Sequence, residues 1–134
     1  MLAISTDKVC FIAIRARELA VKDAPSDLEE GSNPSDDKAY GVLEEDPEDL
    51  TGQEVADAIS GLNEDERLDL VALAWIGRGT YAKSEWREAR AEAARMPGQA
   101  VAGYLLGLPL LSDYLEEGLA QFDRTCADAA RDRL

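Results

Sequence analysis

Apolar residues recur at intervals of three and four along most of this chain, which is the spacing of one face of an α-helix. The first such stripe runs from Val9 to Ala20 and follows Ser5-Thr6-Asp7, which suits a helix N-cap, so the pattern predicts a helix of roughly four turns. Alternation with a period of two, the mark of a half-buried strand, is almost absent. The pattern therefore predicts an all-α fold.

Beyond residue 50 the helix signals are stronger. Residues 51–54 have the spacing of a capping box, and residues 63–66 repeat it. The stretch from Leu68 to Ile76 is apolar on nearly every side, so we expect it to be the buried central helix. The sequence Gly77-Arg78-Gly79 should end this helix, because glycine readily supplies the left-handed residue at a helix C-terminus.

Two further signals complete the predicted fold. Ser84 can cap a helix that runs to about Met96, and Pro109 suits the first turn of a final helix. We predict one domain, residues 1–134, built as a compact bundle of five or six helices. The central helix should be packed by the first helix and by the two helices that carry Tyr104 and Leu115.

Residues 25–50 form an acidic connector between these regions. The connector holds ten Asp or Glu residues and one Lys, a net charge of −9 out of the −14 of the whole chain. Its prolines and glycines predict an irregular loop packed on the outside of the bundle. Asp36 and Asp37 could hold a divalent cation, but the glycine and glutamate positions of a calcium-binding loop are missing. We therefore predict a solvated acidic loop without a metal.

Charge and composition exclude several functions. At −14, direct binding to nucleic acid or to an anionic membrane is not expected. The chain has no histidine, which removes Ser-His-Asp catalysis, Cys-His catalysis and histidine-bearing zinc sites. No apolar run is long enough for a membrane span, so a cytoplasmic location is expected, without a cofactor.

The two cysteines, Cys10 and Cys126, both lie in apolar helical patterns near opposite ends of the chain. This context favours reduced, inert core cysteines, with a disulfide or a reactive thiol as the alternative.

Arg78 is the first candidate for a binding residue, because an arginine between glycines and near aromatic residues could hold a phosphate or a carboxylate. The favoured interpretation, however, is a helix-terminal arginine that interacts with the negative end of the helix dipole. The other candidates, Asn33, Asp36 and Asp37, lie in the acidic connector. The apolar stretch from Tyr104 to Leu111 could face a partner, although core packing is its expected use.

The chain also resembles an uncharacterised family of short, mostly alphaproteobacterial proteins, a domain of unknown function. The segments that carry the resemblance are residues 8–12, 31–37, 62–66, 72–79, 104–107 and 109–119. In place of the usual acid after Gly-Arg-Gly, this chain has Thr80. The resemblance implies a compact single-domain bacterial protein and brings no activity, cofactor or catalytic residue.

The sequence as a whole predicts a non-enzymatic protein-interaction module. Its partner, expected to be basic, would meet the acidic connector and the neighbouring Arg78 end of the central helix. The alternative is a small metal-dependent or anion-binding enzyme that uses Asp and Glu oxygens. A homodimer is also left open, because the apolar faces of the first and last helices are broad.

Overall fold

The computed structural model describes residues 2–30 and 51–127, and the side chains of residues 2–20 and 51–127. Within these ranges the chain forms six α-helices and no strand, which confirms the all-α prediction. The helices are α1 (Thr6–Glu30), α2 (Thr51–Ser60), α3 (Glu64–Arg78), α4 (Trp86–Ala93), α5 (Val101–Leu106) and α6 (Leu111–Gln121). None of the helices in the described ranges is long and apolar enough to cross a membrane.

The first helix is longer than predicted. It begins where expected, with the Ser5 hydroxyl accepting the backbone N–H of Lys8 at 3.1 Å, but it continues through Pro25 to Glu30. The expectation that the irregular connector starts at residue 25 is therefore wrong. A proline inside a helix lacks one amide hydrogen and so removes one backbone hydrogen bond, which weakens the helix there without necessarily ending it. Residues 31–50, including Asn33, Asp36 and Asp37, lie outside the described residues.

The central helix α3 confirms the sequence prediction closely. The Asn63 side chain accepts the N–H of Glu66 at 2.8 Å, and the Glu66 carboxylate accepts the N–H of Asn63 at 3.0 Å. This reciprocal capping box satisfies two backbone donors at the start of the helix. The helix ends at Gly79, whose left-handed φ of 94° is open to glycine without steric cost. Every residue from 69 to 76 is buried.

Packing around α3 differs from the prediction in one respect. The most extensive contact of α3 is with α6, whereas α1 packs mainly on α6 and α2. Two glycines allow α3 and α6 to approach so closely. A Cβ added to Gly77 would overlap the backbone carbonyl of Tyr114, and one added to Gly118 would lie 3.0 Å from the carbonyl carbon of Leu73. We call this contact the α3–α6 seam.

The helix predicted from Ser84 to about Met96 is shorter in the structure. A 3₁₀ turn at Lys83–Glu85 comes first, and α4 then runs only from Trp86 to Ala93. The Glu85 carboxylate accepts the N–H of Ala82 at 2.8 Å, so the chain is capped at Ala82 and not at Ser84.

The cysteines are joined, which overturns the prediction of reduced core thiols. Cys10 in α1 and Cys126 beyond α6 form a disulfide across a sequence separation of 116. A turn at Asp123, with a left-handed φ of 62°, follows α6 before the chain reaches Cys126. An apolar context is typical of both free and bridged cysteines, so the local pattern alone could not separate them.

Candidate interaction surface

A groove of about 400 Å³ opens between α1 and α2 and is called the α1–α2 groove below. Its lining combines apolar residues with acids: Asp7, Lys8, Phe11, Ile12, Asp57, Ala58, Gly61 and Leu62. Ile12 and Leu62 are buried and form the apolar floor, while Asp7 and Asp57 are exposed at the rim.

Two large apolar side chains of α1 remain in contact with water beside this groove. Phe11 is 43% exposed and Ile14 is 48% exposed. Because they are three positions apart on a helix, they lie on the same face. The opposite face of α1, with Val9 and Ala13, is fully buried. The first helix therefore has an apolar side that packs in the core and a smaller apolar stripe that does not.

The charges around the groove leave a negative rim. Lys8 donates to the Glu66 carboxylate at 2.7 Å, so its positive charge is already compensated. Asp57 accepts a hydrogen bond from the neutral Gln53 amide at 2.8 Å. Within the described residues, neither Asp7 nor Asp57 forms an ion pair with a lysine or arginine. Both carboxylates are thus available to a cation from another molecule.

Arg15 ties the two walls of this surface together. Its guanidinium donates to Glu54 on α2 and to Glu18 on α1, and it lies 5.7 Å from the centre of the Phe11 ring. The hydrogen bond to Glu54 is the main cause that raises the pKa of Arg15 above its ordinary value. This interaction orients Phe11 as well as joining the helices, since a cation over an aromatic face is attracted by the ring.

The pKa of Glu66 is lowered from its ordinary value. The largest cause is the hydrogen bond from Lys8, followed by the hydrogen bond from the backbone N–H of Asn63. Both donors favour the ionised carboxylate. The same carboxylate therefore caps α3 and holds α1 to the start of α3.

A second opening, of about 550 Å³, lies where the N-terminal segment meets α3 and α4. At its base the carboxylate of Asp69, only 2% exposed, accepts the N–H groups of Ala3 and Ile4 and the Nε–H of Arg90 at 2.7 Å. Arg90 also contacts Asp65. Arg90 compensates the charge of the buried Asp69 carboxylate, whose polar atoms all have partners, so this cluster fixes the N-terminal segment to the bundle.

Asp69 is a structural residue that the sequence analysis missed. Its position in an otherwise apolar helix was visible, and a lone acid in a buried stripe needs a cationic or hydrogen-bonding partner. Arg90 lies 21 positions further along the chain, and no local pattern connects the two.

Arg78 lies at the other end of α3 from the α1–α2 groove. It is exposed, and its Nε–H donates to the Thr80 hydroxyl at 2.9 Å. Nearby, the Trp75 indole donates to the Tyr104 hydroxyl at 2.8 Å and its ring lies 5.9 Å from that of Tyr81. The aromatic neighbours predicted for this loop are therefore present, but they pack and hydrogen-bond with one another.

Of the four predicted binding residues, the structure describes only Arg78, so their use in one site stays a prediction. Asn33, Asp36 and Asp37 lie outside the described residues, and Arg78 is exposed, with its Nε–H donating to the Thr80 hydroxyl. Among the side chains that the structure describes, those of residues 2–20 and 51–127, there is no group of three or more acids or cysteines placed to hold a metal ion.

Comparison with known protein families gives a match for more than half of this chain. The family model described as "Protein of unknown function (DUF3775)" matches residues 52–124. The chain belongs to this family. A search of curated proteins and a search of solved structures each gave no match. The predicted resemblance to a domain of unknown function is confirmed, whereas its bacterial range stays a prediction.

The DUF3775 region covers most of α2 and all of α3 to α6. It therefore contains the α3–α6 seam, the Asp69–Arg90 pair and the α2 wall of the groove, whereas Ala3 and Ile4, which donate to Asp69, lie outside it. The α1 wall, with Phe11, lies outside the matched residues, and so do both cysteines. The exposed stripe and the disulfide thus belong to the part of the chain that the family match leaves out.

Proposed function

We propose that this protein is a non-enzymatic protein-interaction module whose partner presents a basic, amphipathic segment to the α1–α2 groove. The observation that carries the proposal is the exposure of Phe11 beside an apolar floor, between the carboxylates of Asp7 and Asp57. Aromatic residues are enriched at the centres of protein interfaces, where they provide a large contact area. Ile14 extends the apolar area by one helical turn.

The chemistry of the partner follows from charge. The two exposed carboxylates at the rim can pair with cations of a partner, and Lys8 does not compete because Glu66 already binds it. The part of the connector that lies beyond α1, residues 31–50, adds seven acids and one lysine to the same chain. A chain at −14 attracts a basic protein over long range and repels an acidic one. We therefore infer a partner segment with leucine-like side chains on one face and lysine or arginine on its edges.

The predicted residues Asn33, Asp36 and Asp37 enter this proposal as part of the connector, to whose negative charge the two aspartates contribute. Arg78 enters it differently. From Glu64 to Arg78 the helix is about 20 Å long at 1.5 Å per residue, so a partner that touches both the groove and Arg78 must be extended. The cytoplasmic location remains part of the proposal.

The alternative, an enzyme that uses Asp and Glu oxygens, has less support. The most shielded carboxylate among the described residues, that of Asp69, already accepts hydrogen bonds from two backbone amides and Arg90. Carboxylates that act in acid–base catalysis instead need an environment that separates their pKa values, with room for a substrate.

A binding titration with matched charge variants tests the proposal. The probe is a synthetic amphipathic helix with leucines on one face and lysines on the other, titrated by calorimetry at physiological ionic strength. The double variant Asp7→Lys/Asp57→Lys should bind at least about tenfold more weakly than the unmodified protein. The control Glu88→Lys/Glu92→Lys makes the same change in net charge on the exposed face of α4 and should bind like the unmodified protein.

Two further arms of this titration separate the surfaces. Phe11→Ala/Ile14→Ala removes the apolar stripe without changing the charge and should also weaken binding by about tenfold or more. Asp36→Lys/Asp37→Lys reports the contribution of the connector. Equal losses in the groove variant and the α4 control would mean that only net charge matters, and the groove would then not be the docking surface.

A further inference from the structure

The disulfide joins a protected cysteine to a more accessible one. Cys10 is 4% exposed within α1, whereas Cys126 is only partly buried beyond the end of α6. A thiolate from another molecule can therefore approach the sulfur of Cys126 more easily than that of Cys10.

The chain around Cys126, residues 122–127, is called the return segment here because it leads back from the end of α6 to α1. The Phe122 ring lies 5.0 Å from that of Trp86, and Arg124 donates to the Thr6 hydroxyl at 3.1 Å. The backbone at Asp123 is left-handed, a conformation that disfavours most side chains but that aspartate adopts more readily than most residues.

Most of the main core is formed by other parts of the chain, and only Phe122 and Cys126 of this segment pack against it. The buried leucines and valines of α3, α5 and α6 pack together, and α3 and α6 are held by their close seam. Opening the disulfide would therefore remove a strong restraint on the return segment while leaving the central packing in place. Stability differs among parts of a protein in this way, and weakly packed ends open first.

We propose that the Cys10–Cys126 disulfide is a redox switch that attaches the return segment to α1 when oxidised and releases it when reduced. The proposal does not depend on the function of the α1–α2 groove. In a reducing compartment, such as the cytoplasm expected from the sequence, a protein disulfide is usually transient and responds to the redox state.

The reductant is a dithiol, either a small molecule or a protein of the thioredoxin type. One of its thiolates attacks the sulfur of Cys126, the bond to Cys10 breaks, and the Cys10 sulfur leaves with the electron pair and takes up a proton. The second thiol of the reductant, after losing its proton, then attacks the mixed disulfide and releases Cys126 as a thiol. Two electrons and two protons have passed to the protein, and the reductant has become a disulfide. Oxidised glutathione reverses the sequence through the same exchanges.

Hydrogen exchange on the full chain tests this switch. The oxidised protein is compared with protein reduced by excess dithiothreitol under native conditions, and then with protein reoxidised by glutathione disulfide. On reduction, the amides of Asp123 and Arg124 should lose protection by at least about tenfold, and reoxidation should restore it. The amides of residues 70–76 should stay protected throughout.

A second readout is the fluorescence of Trp86, because the Phe122 ring leaves it when the return segment is released. Trp75→Phe removes the other tryptophan signal, and Phe122→Ala in the oxidised protein shows the spectrum expected without the ring contact. In this background, Cys126→Ser should match the reduced protein and no longer respond to dithiothreitol.

Three outcomes would overturn the proposal. A disulfide that resists excess dithiothreitol under native conditions would be a static crosslink. Loss of protection across residues 70–76 on reduction would make it a requirement for the whole fold. Unchanged protection at Asp123 and Arg124 after verified reduction would show that other contacts hold the return segment.

Discussion

The α3–α6 seam and the α1–α2 groove solve the same problem, the packing of two helices, in opposite ways. In the seam, Gly77 and Gly118 let the backbones touch, and the surrounding side chains are buried. At the groove, polar side chains join the helices through Arg15 and Glu54, and Phe11 is left partly in water. The seam has no room for an added atom, whereas the groove has room for a side chain from another molecule.

The contrast teaches where this chain keeps its stability and where it can bind. Close-packed contacts stabilise the fold strongly, but they cannot accommodate an added group without cost, because protein interiors have few voids. Exposed ion pairs contribute little to stability, typically less than about 1 kcal/mol. Substitutions in the seam should therefore change folding, and substitutions at the groove should change binding.

The largest effect is expected from Gly77→Ala. The new methyl group would lie 2.7 Å from the carbonyl carbon of Tyr114 and 2.9 Å from the backbone nitrogen of Gly118, so α3 and α6 must separate. We expect a loss of about 3 kcal/mol or more in the free energy of unfolding, measured by chemical denaturation. Alanine is a better helix former than glycine, so helix propensity alone would make this variant more stable. A loss of stability would therefore come from the steric contact between the two helices.

Gly103→Ala is the matched control. Gly103 also lies in a helix, α5, but an added Cβ there meets no atom within 4 Å. This variant should be stabilised by roughly 0.5–1 kcal/mol. If Gly77→Ala were as stable as Gly103→Ala, this result would contradict the close approach of α3 and α6 at the seam.

The next largest effect is expected from Asp69→Ala. It leaves Arg90 without its buried partner and the N–H groups of Ala3 and Ile4 without their acceptor. We expect a loss of about 2–3 kcal/mol in unfolding free energy, reduced from the fully buried case because Arg90 is partly exposed. The comparison variant Asp65→Ala removes a side chain that is 74% exposed. Its free energy of unfolding should therefore change by no more than about 0.5 kcal/mol.

A smaller effect is expected on the stability of the fold at acid pH. Because the folded state lowers the pKa of Glu66, this group contributes stability above the ordinary pKa of a glutamate, and the contribution is lost as the pH falls through the lowered value. Lys8→Met removes the hydrogen bond that is the largest cause of this lowered pKa. The pKa of Glu66 should therefore rise toward its ordinary value in an NMR titration. Lys83→Met, which removes a lysine placed over the Phe122 ring, should leave the titration of Glu66 unchanged.

The smallest effect on folding is expected from Phe11→Ala. The ring is exposed at the groove, so the free energy of unfolding should change by less than about 1 kcal/mol in a denaturation experiment. Val9→Ala, two residues earlier on the buried face of α1, should cost about 2 kcal/mol or more. Equal losses in the two variants would mean that Phe11 acts as a core residue and not as a contact surface.

Much of the fold could be predicted from the sequence because its signals are local. The capping box at Asn63 and Glu66, the apolar run of α3 and the glycine at its end each involve residues within a few positions of one another. Such signals specify where a helix starts and stops before any long-range packing is known. The prediction that the irregular connector starts at Pro25 was wrong, since one proline does not end a helix whose backbone stays helical on both sides of it.

The features that matter for the site were harder to predict because they join distant residues. Asp69 meets Arg90, Lys8 meets Glu66, and Cys10 meets Cys126 only after the bundle has formed. Phe11 was indistinguishable from a core residue, because the stripe of α1 does not show which side meets another helix. The acidic character of the surface, in contrast, depends only on composition and was predictable.

The disulfide also gives the molecule a mechanical property. Its two Cα atoms lie 5.5 Å apart although 116 positions separate them in sequence. If the chain is stretched by handles placed before Cys10 and after Cys126, the sulfur–sulfur bond carries the tension and the helices between them feel none. The oxidised protein would lengthen only by the residues outside this covalent ring, whereas the reduced protein would transmit the same pull directly into α6 and α1.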